Sequence, residues 1–475
     1  MLFCSQAFLY FFAAVLLIYW LMPWRQARIW LLLAASFYFY AVWNAWLALL
    51  IGATTVMDYL LALGMERSTS PRRRKILLVL SLLVNLGILG YFKYANFFLQ
   101  SLNEVLSTLG VPLWFHTLRV ILPIGISFYT FEAINYTVDV YRRRVPAERN
   151  LGHFLLFILF FPHLVAGPIV RARDFLPQIK RRKRFSWPRM HLGAQFFLLG
   201  LLKKLAIADR MALYVDPVFA DPNAYGTVTV WLAAIAYAVQ IYCDFSGYTD
   251  MAIGTAHMLG YKLAQNFNIP YVSLNVSEFW RRWHISLSSW LRDYLFIPLG
   301  GSRGGSGRTY RNLLITMTLG GLWHGASWTF VVWGVLHGLL LIGHKMFQDF
   351  CTGRPLLERA LRSPPGMLLR LALTLVSVCI GWVFFRATTL GAAAAFLHRM
   401  ASFTPSPAEG ALPNRDIYLT IAVVIICHLI RRFELWPRWQ VRLPASLLGL
   451  SYAVAVTLAL FLAPSGTKPF IYFQF

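Results

Sequence analysis

The chain has 475 residues, of which 58% are hydrophobic, 16% aromatic and only 13% charged. A soluble globular domain carries about 25% charged residues, so the composition excludes that class. The formal net charge of +25 comes from Lys and Arg in short loops between apolar segments, which is the pattern of cytoplasmic loops and not of a nucleic-acid binder.

Long apolar stretches recur along the whole chain, which points to an all-α, polytopic membrane protein. The short alternating strands of a membrane barrel are missing. Residues 6–22 have no basic leader and no small-residue cleavage site, so they read as a retained span. Arg25 and Arg28 follow, placing that loop in the cytoplasm and the N-terminus outside. Residues 29–43 and 45–63 form a hairpin back to the basic run Arg72–Lys75. Residues 76–92 and 119–138 form a second one, ending at Arg142–Arg144.

Residues 151–170 break this parity, because basic residues flank them on both sides. Pro162 and Gly167-Pro168 interrupt the stretch, which predicts a re-entrant element buried in protein or lining a cavity. Segments 190–208 and 226–246 restore two crossings. Lys203 and Lys204 at the end of the first are read either as snorkelling side chains or as a site. Asp244 and Asp250 fall at the edge of the second. Residues 247–311 read as a cytoplasmic-side region with Trp- and Arg-rich helices lying in the interface plane.

Spans at 312–326, 328–346, 369–386, 416–431 and 445–464 complete the chain and return its C-terminus outside. The expectation is about twelve crossings plus the re-entrant stretch. No internal repeat stands out, which disfavours the common inverted-repeat transporters. Cys4, Cys243, Cys351, Cys379 and Cys427 lie far apart, with no metal spacing, and read as core residues. The basic loops also leave room for anionic lipid heads or an anionic substrate.

The densest polar stretch runs from Asn275 to Gly338. His324 sits in LITMTLGGLWHGASWTFVVWG, among Gly320, Gly321, Gly325, Ala326 and Ser327, small residues that let helices approach closely or leave room for a substrate. An ionisable group inside a span is costly and points to function. A neutral imidazole takes a proton from a hydroxyl, while the bland alternative is a histidine hydrogen-bonding neighbouring helices. His284 is the second candidate, in EFWRRWHISLSSWLRDYLF. If 277–295 is one helix, Glu278 and Arg282 lie four apart and pair, and the bland alternative is an interfacial aromatic belt.

A metal site is not expected. His324 and His337 are thirteen positions apart, nearly opposite faces if on one helix, and zinc needs three or four convergent ligands. The Gly300–Gly305 turn around Arg303 lacks the strand and helix of a phosphate loop. It reads as a flexible loop, with contact to a phosphorylated cofactor as the alternative. GxSxG and HExxH are absent.

With these stretches in view, the sequence resembles the membrane-bound O-acyltransferase family, and within it the bacterial branch that O-acetylates exopolysaccharides. The resemblance is carried by LPIGISFYTFEAINYTVDVYR (122–142), FFPHLVAGPIVR (160–171), YCDFSGYTDMAIG (242–254), NFNIPY (266–271), EFWRRWHISLSSWLRDYLFIPLGG (278–301) and YRNLLITMTLGGLWHGASWTFVVWGVLHG (310–338). It implies a single membrane-embedded domain, with its motif-bearing core at about 120–345, built around a central funnel. It places the family's catalytic histidine at His324 and its second position at His284.

It further implies acetyl-CoA as cytoplasmic donor without a metal, and a bacterial inner-membrane location. Separate periplasmic acetyl-transfer proteins would complete delivery to a polymer such as alginate or cellulose. Trp280, Arg281, Arg282, Asp293, Arg303 and Trp323 are the expected substrate contacts. A transporter of an anionic metabolite and a scaffold of an export complex are the competing readings.

Overall fold

In a computed structural model, residues 1–111, 115–403, 405, 414–432, 444–461 and 470–471 are described, and they form helices and connecting loops with no strand among them. Among the described residues, five helices are long and apolar enough to cross a membrane: Ala45–Arg67, Pro71–Thr108, Thr227–Met258, Trp328–Cys351 and Pro364–Arg386. Gln6–Leu21, Ile417–Arg431 and Gly449–Ala459 are shorter apolar helices. Trp46, Leu83, Val228 and Leu368 are 65–78% exposed, as large apolar side chains are where a protein meets lipid. The chain packs as two compact units, Met1–Phe197 with Thr249–Ala264, and Leu198–Tyr248 with Gln265–Phe475.

The first unit opens with α1 (Gln6–Leu21), α2 (Arg25–Ala41) and α3 (Ala45–Arg67). α4 (Pro71–Leu89) passes through a π-helical turn at Gly90–Tyr94 into α5 (Ala95–Thr108), so the helix runs well past the expected end at residue 92. The return helix α6 (Ile126–Tyr141) begins later than expected. Pro123 would remove a helical hydrogen bond from the interior of a 119–138 span. Gly125 then turns the chain at φ 76°, where a Cβ would sit 2.6 Å from the Leu164 carbonyl oxygen. Asp58 on α3 accepts hydrogen bonds from Ser81 Oγ (2.6 Å) and Asn85 Nδ2 (2.9 Å) on α4, which satisfies a buried carboxylate.

The stretch expected to be interrupted is so. α7 (Leu151–Leu159) stops at Phe160, α8 (Phe161–Leu164) is one turn, and residues 165–171 leave the helix before α9 (Ala172–Lys180). Side chains supply the hydrogen bonds that a helix would have made internally. Val170 N–H donates to Glu132 (2.9 Å), Asn135 Nδ2 donates to the Val170 carbonyl (3.0 Å), and Phe161 N–H donates to Ser36 Oγ (3.1 Å). Buried irregular backbone survives in a membrane protein only on such terms.

The unit boundary falls inside α10 (Trp187–Leu202) and α12 (Thr227–Met258), which flank α11 (Asp209–Ala220). α12 runs twelve residues beyond the expected end at 246, so Asp244 and Asp250 lie within a helix. The snorkelling alternative for Lys204 is corrected, because a snorkelling ammonium reaches water and Lys204 is buried. Its Nζ lies 2.6 Å from Asp244 and 2.8 Å from Asp209, and Asp244 also accepts from Ile471 N–H at 2.9 Å. Asp244, forty residues along the chain, and Ile471 at its far end thus join the network.

The second unit continues with α13 (Val276–Arg282), α14 (Ile285–Leu291), α15 (Ser306–His324), α16 (Trp328–Cys351), α17 (Pro355–Arg362), α18 (Pro364–Arg386), α19 (Leu390–Ala401), α20 (Asn414–Arg432) and α21 (Ala445–Phe461). Within the expected span 445–464, residues 462–464 lie outside the described residues. α13 and α14 each bury one face, with Phe279 and Leu287 at 1% exposed, and Trp283 and His284 between them are fully buried. Cys243, Cys351 and Cys379 are buried as expected, whereas Cys427 is exposed.

Candidate active site

α15 and α16 form a hairpin whose helices meet at glycines. A Cβ on Gly321 would fall well inside van der Waals contact with the Phe330 carbonyl oxygen, and one on Gly334 with that of Met317. Small residues of this kind let backbones touch. α15 ends at His324, and the next residue, Gly325, is extended (φ −157°). A side chain there would collide with the Phe330 ring, so glycine is what allows that ring to close against the turn.

The His324 imidazole is therefore fixed at a helix end inside an aromatic cage. Its ring centroid is 4.9 Å from Trp323, 5.1 Å from Trp333 and 5.2 Å from Phe385. His337 falls on α16 and not on His324's helix, so the same-helix argument against a shared metal loses its premise. Its Nδ1 accepts from Trp280 Nε1 at 3.3 Å. Among the described residues no group of three or more His, Cys, Asp or Glu is placed to hold a metal ion.

His284 reaches the same neighbourhood by a different route. The expected continuous helix 277–295 is broken at Trp283, and His284 adopts φ 43°, ψ 54°, the left-handed region that side chains avoid. Three hydrogen bonds from an upstream loop hold the break. Asn268 N–H donates to the Arg282 carbonyl (2.9 Å), Ile285 N–H to the Asn266 carbonyl (2.9 Å), and Ser286 N–H to Asn266 Oδ1 (3.2 Å). The result is a fully buried ring 4.7 Å from Phe245, 5.8 Å from Trp323 and 6.3 Å from His324. Burial pushes the His284 pKa down to about 3, so the ring is neutral across the physiological range.

A cavity of about 510 Å³ opens beside His324, within the usual size of a ligand site. Ser277, Trp280, Arg281, Arg292, Gly320 and Trp333 are among its lining residues. Of the expected substrate contacts, Trp280 and Arg281 line this cavity. Arg281 bonds Ser277 within its own helix.

Four other expected contacts fall elsewhere. Arg282 pairs with Glu278 at 2.9 Å and donates to the Asn268 carbonyl at 3.2 Å, which ties α13 to the clamping loop. Asp293 binds Arg292 at 2.8 Å and does not line the cavity. Trp323 packs against both histidines without lining it. Arg303 stands in the exposed 300–305 turn, away from the lining. Arg292 and Trp333 were missed. The break at Trp283–His284 ends the helical phase of Ser277 and Arg281 before it reaches Arg292, and Trp333 comes from the facing helix, so neither left a local signal.

Fold and cavity define a helical membrane protein organised around a buried imidazole. A model of the membrane-bound O-acyltransferase family matches residues 145–380. A probable alginate O-acetylase of Azotobacter vinelandii is 44% identical over 90% of this chain and 84% of its own length. Its counterpart in Pseudomonas aeruginosa is 45% identical over 85% of this chain and 75% of its own. A peptidoglycan O-acetyltransferase of Helicobacter pylori is 38% identical over 78% and 73% respectively. The chain belongs to the membrane-bound O-acyltransferase family. It is an O-acyltransferase embedded in a membrane, which sets aside the transporter and scaffold readings.

Proposed function

We propose that the protein is a bacterial inner-membrane O-acetyltransferase that moves acetyl from cytoplasmic acetyl-CoA to a hydroxyl acceptor, for O-acetylation of an exopolysaccharide such as alginate or cellulose. Two observations support this reading: His324 is the only histidine among the described residues lining the 510 Å³ cavity, and relatives named as probable alginate O-acetylases match this chain at 44–45% identity. The reading includes about twelve crossings around a central funnel and periplasmic acetyl-transfer proteins as partners.

In the mechanism, His324 takes the proton of the acceptor hydroxyl as its oxygen attacks the acetyl carbonyl. The tetrahedral intermediate then collapses, the carbon–sulfur bond breaks, and the proton passes to the departing thiolate. A thioester is already activated, so the protein has to supply a base, orientation and exclusion of water. Neutral His284 holds the reacting group beside His324, with Trp323 packed against both rings. Arg281 and Arg292 meet the phosphates of the coenzyme, and Trp280 orients its thiol arm. No metal takes part.

The experiment is polymer acetylation by a strain carrying His324→Ala, with the protein inserted at normal level. Loss of acetyl from the polymer is expected, and full acetylation would remove His324 from the mechanism.

A further inference from the structure

A second cavity in the same unit, of about 430 Å³, lies between the start of α13, the end of α16, α17 and the start of α18. None of its lining residues lines the first cavity. Its chemistry is divided. Arg362, Arg370 and His344 bring cationic or polar nitrogen to it, and Gln348, Thr374 and Ser377 add hydrogen-bonding groups. Arg370 makes one backbone hydrogen bond, to the Leu361 carbonyl at 3.5 Å, and no ion pair among the described residues. The Nε2 atom of His344 is buried and has no hydrogen-bond partner.

Glu358 also lines the cavity and lies 3.8 Å from Arg362, with side chains 43% and 80% exposed, and such a pair holds weakly. Two arginines against one carboxylate leave the lining net positive, which suits an anion from outside the chain.

The rim is built for something else. Phe347 and Leu373 line the cavity and are 44% and 59% exposed, and nearby Phe350 and Leu356 are 55% and 80% exposed. Arg370 is the seventh residue of α18, so it sits about 9 Å along the helix, the depth of a headgroup region if α18 crosses. Arg354, Arg359, Arg362 and Arg370 mark this end as cytoplasmic by the positive-inside rule. A soluble phosphate compound has no use for the apolar rim. A molecule with a phosphate at one end and hydrocarbon at the other uses both halves.

We propose that this cavity binds the headgroup of an anionic phospholipid from the cytoplasmic leaflet. Arg370 and Arg362 take its phosphate, and its chains lie along Phe347 and Leu373. The α13 segment that closes the cavity at Leu274–Val276 continues into Ser277, Trp280 and Arg281 of the first cavity. A bound lipid thereby steadies one wall of the acyl-transfer site.

The test uses the full-length protein in neutral detergent, stripped of loosely held lipid, with phosphatidylglycerol and phosphatidylcholine as probes. Native mass spectrometry counts retained lipid, and the melting temperature is followed as each lipid is added. Neither readout depends on acyl transfer. Wild type is expected to retain one phosphatidylglycerol and to be stabilised by it, and phosphatidylcholine to do neither. Arg370→Ala should shift the phosphatidylglycerol titration about fivefold weaker, the effect of one basic residue at an anionic lipid surface, and Arg370→Lys should restore most of it.

Arg362→Ala, on the exposed α17, gives the same reading should Arg370→Ala fail to fold. Equal titrations for wild type and both alanine variants would overturn the proposal. A parallel titration with coenzyme A separates the other phosphate source: loss of the coenzyme's stabilisation with the lipid's intact would also overturn it.

Discussion

The two histidines of the site are held in opposite ways. His324 ends a regular helix, and its position follows from glycines that bring α15 and α16 into backbone contact. His284 stands where a helix is broken, in a left-handed conformation that costs about 1–3 kcal/mol unless its surroundings enforce it. What enforces it is Asn266 and Asn268, from a loop upstream. Close packing positions a side chain through local sequence. A strained break positions one through distant polar partners, and a small change far away can release it.

The largest expected effect is at the packed end. Replacing His324 with Ala should lower acyl transfer by about 10²–10⁴-fold, the usual worth of a positioned base, with melting temperature and membrane insertion unchanged. Initial rates of purified wild type and variant in vesicles measure it. Gly321→Val should break the same element through its packing. The added side chain meets the Phe330 carbonyl, and overpacking costs about 1–3 kcal/mol, so melting temperature and activity should fall together. A Gly321→Val protein of normal melting temperature would show that the hairpin yields more easily than this geometry allows.

The same contrast explains what could be read from sequence. The hairpin was legible, because Gly320-Gly321, Gly325 and the flanking apolar runs are local features, and His324 was placed by them. So was the Glu278–Arg282 pair, which needs only a helical spacing of four. The break at Trp283–His284 was not legible, since neither Gly nor Pro marks it and its cause lies at Asn266. The extent of α12 was hidden for the same reason: Asp244 reads as the edge of a span until Lys204 is seen beside it. Arg292 and Arg303 are both basic residues near a turn, and only the folded chain separates the one lining the cavity from the one in the exposed loop.

Substitutions at His284 sharpen the comparison further. His284→Gly removes the imidazole and relaxes the left-handed backbone, while His284→Ala removes it and keeps the strain. The Gly variant should therefore be the more stable of the two, by about 1 kcal/mol in denaturant or thermal unfolding. If the ring itself holds the reacting group, both variants lose activity alike. If only the shape of the break matters, the Gly variant stays active and the His284 ring has no part in holding that group. Asn266→Ala should act from a distance: leaving the buried Ser286 N–H unsatisfied costs about 1–3 kcal/mol and frees the break, so activity falls with His284 untouched.

The smallest effect is expected at Arg282, and it separates a wall from its support. Its pair with Glu278 is partly exposed, and such pairs contribute about 0–1 kcal/mol. Arg282 also ties α13 to the Asn268 carbonyl, so Arg282→Gln should lower melting temperature slightly and leave KM for the acetyl donor unchanged. Arg281→Gln and Arg292→Gln, on the cavity wall, should do the reverse and raise that KM with little change in stability. Donor titrations on the three variants test the assignment directly. A raised KM for Arg282→Gln alone would move the donor's phosphates from the cavity wall to the clamping loop.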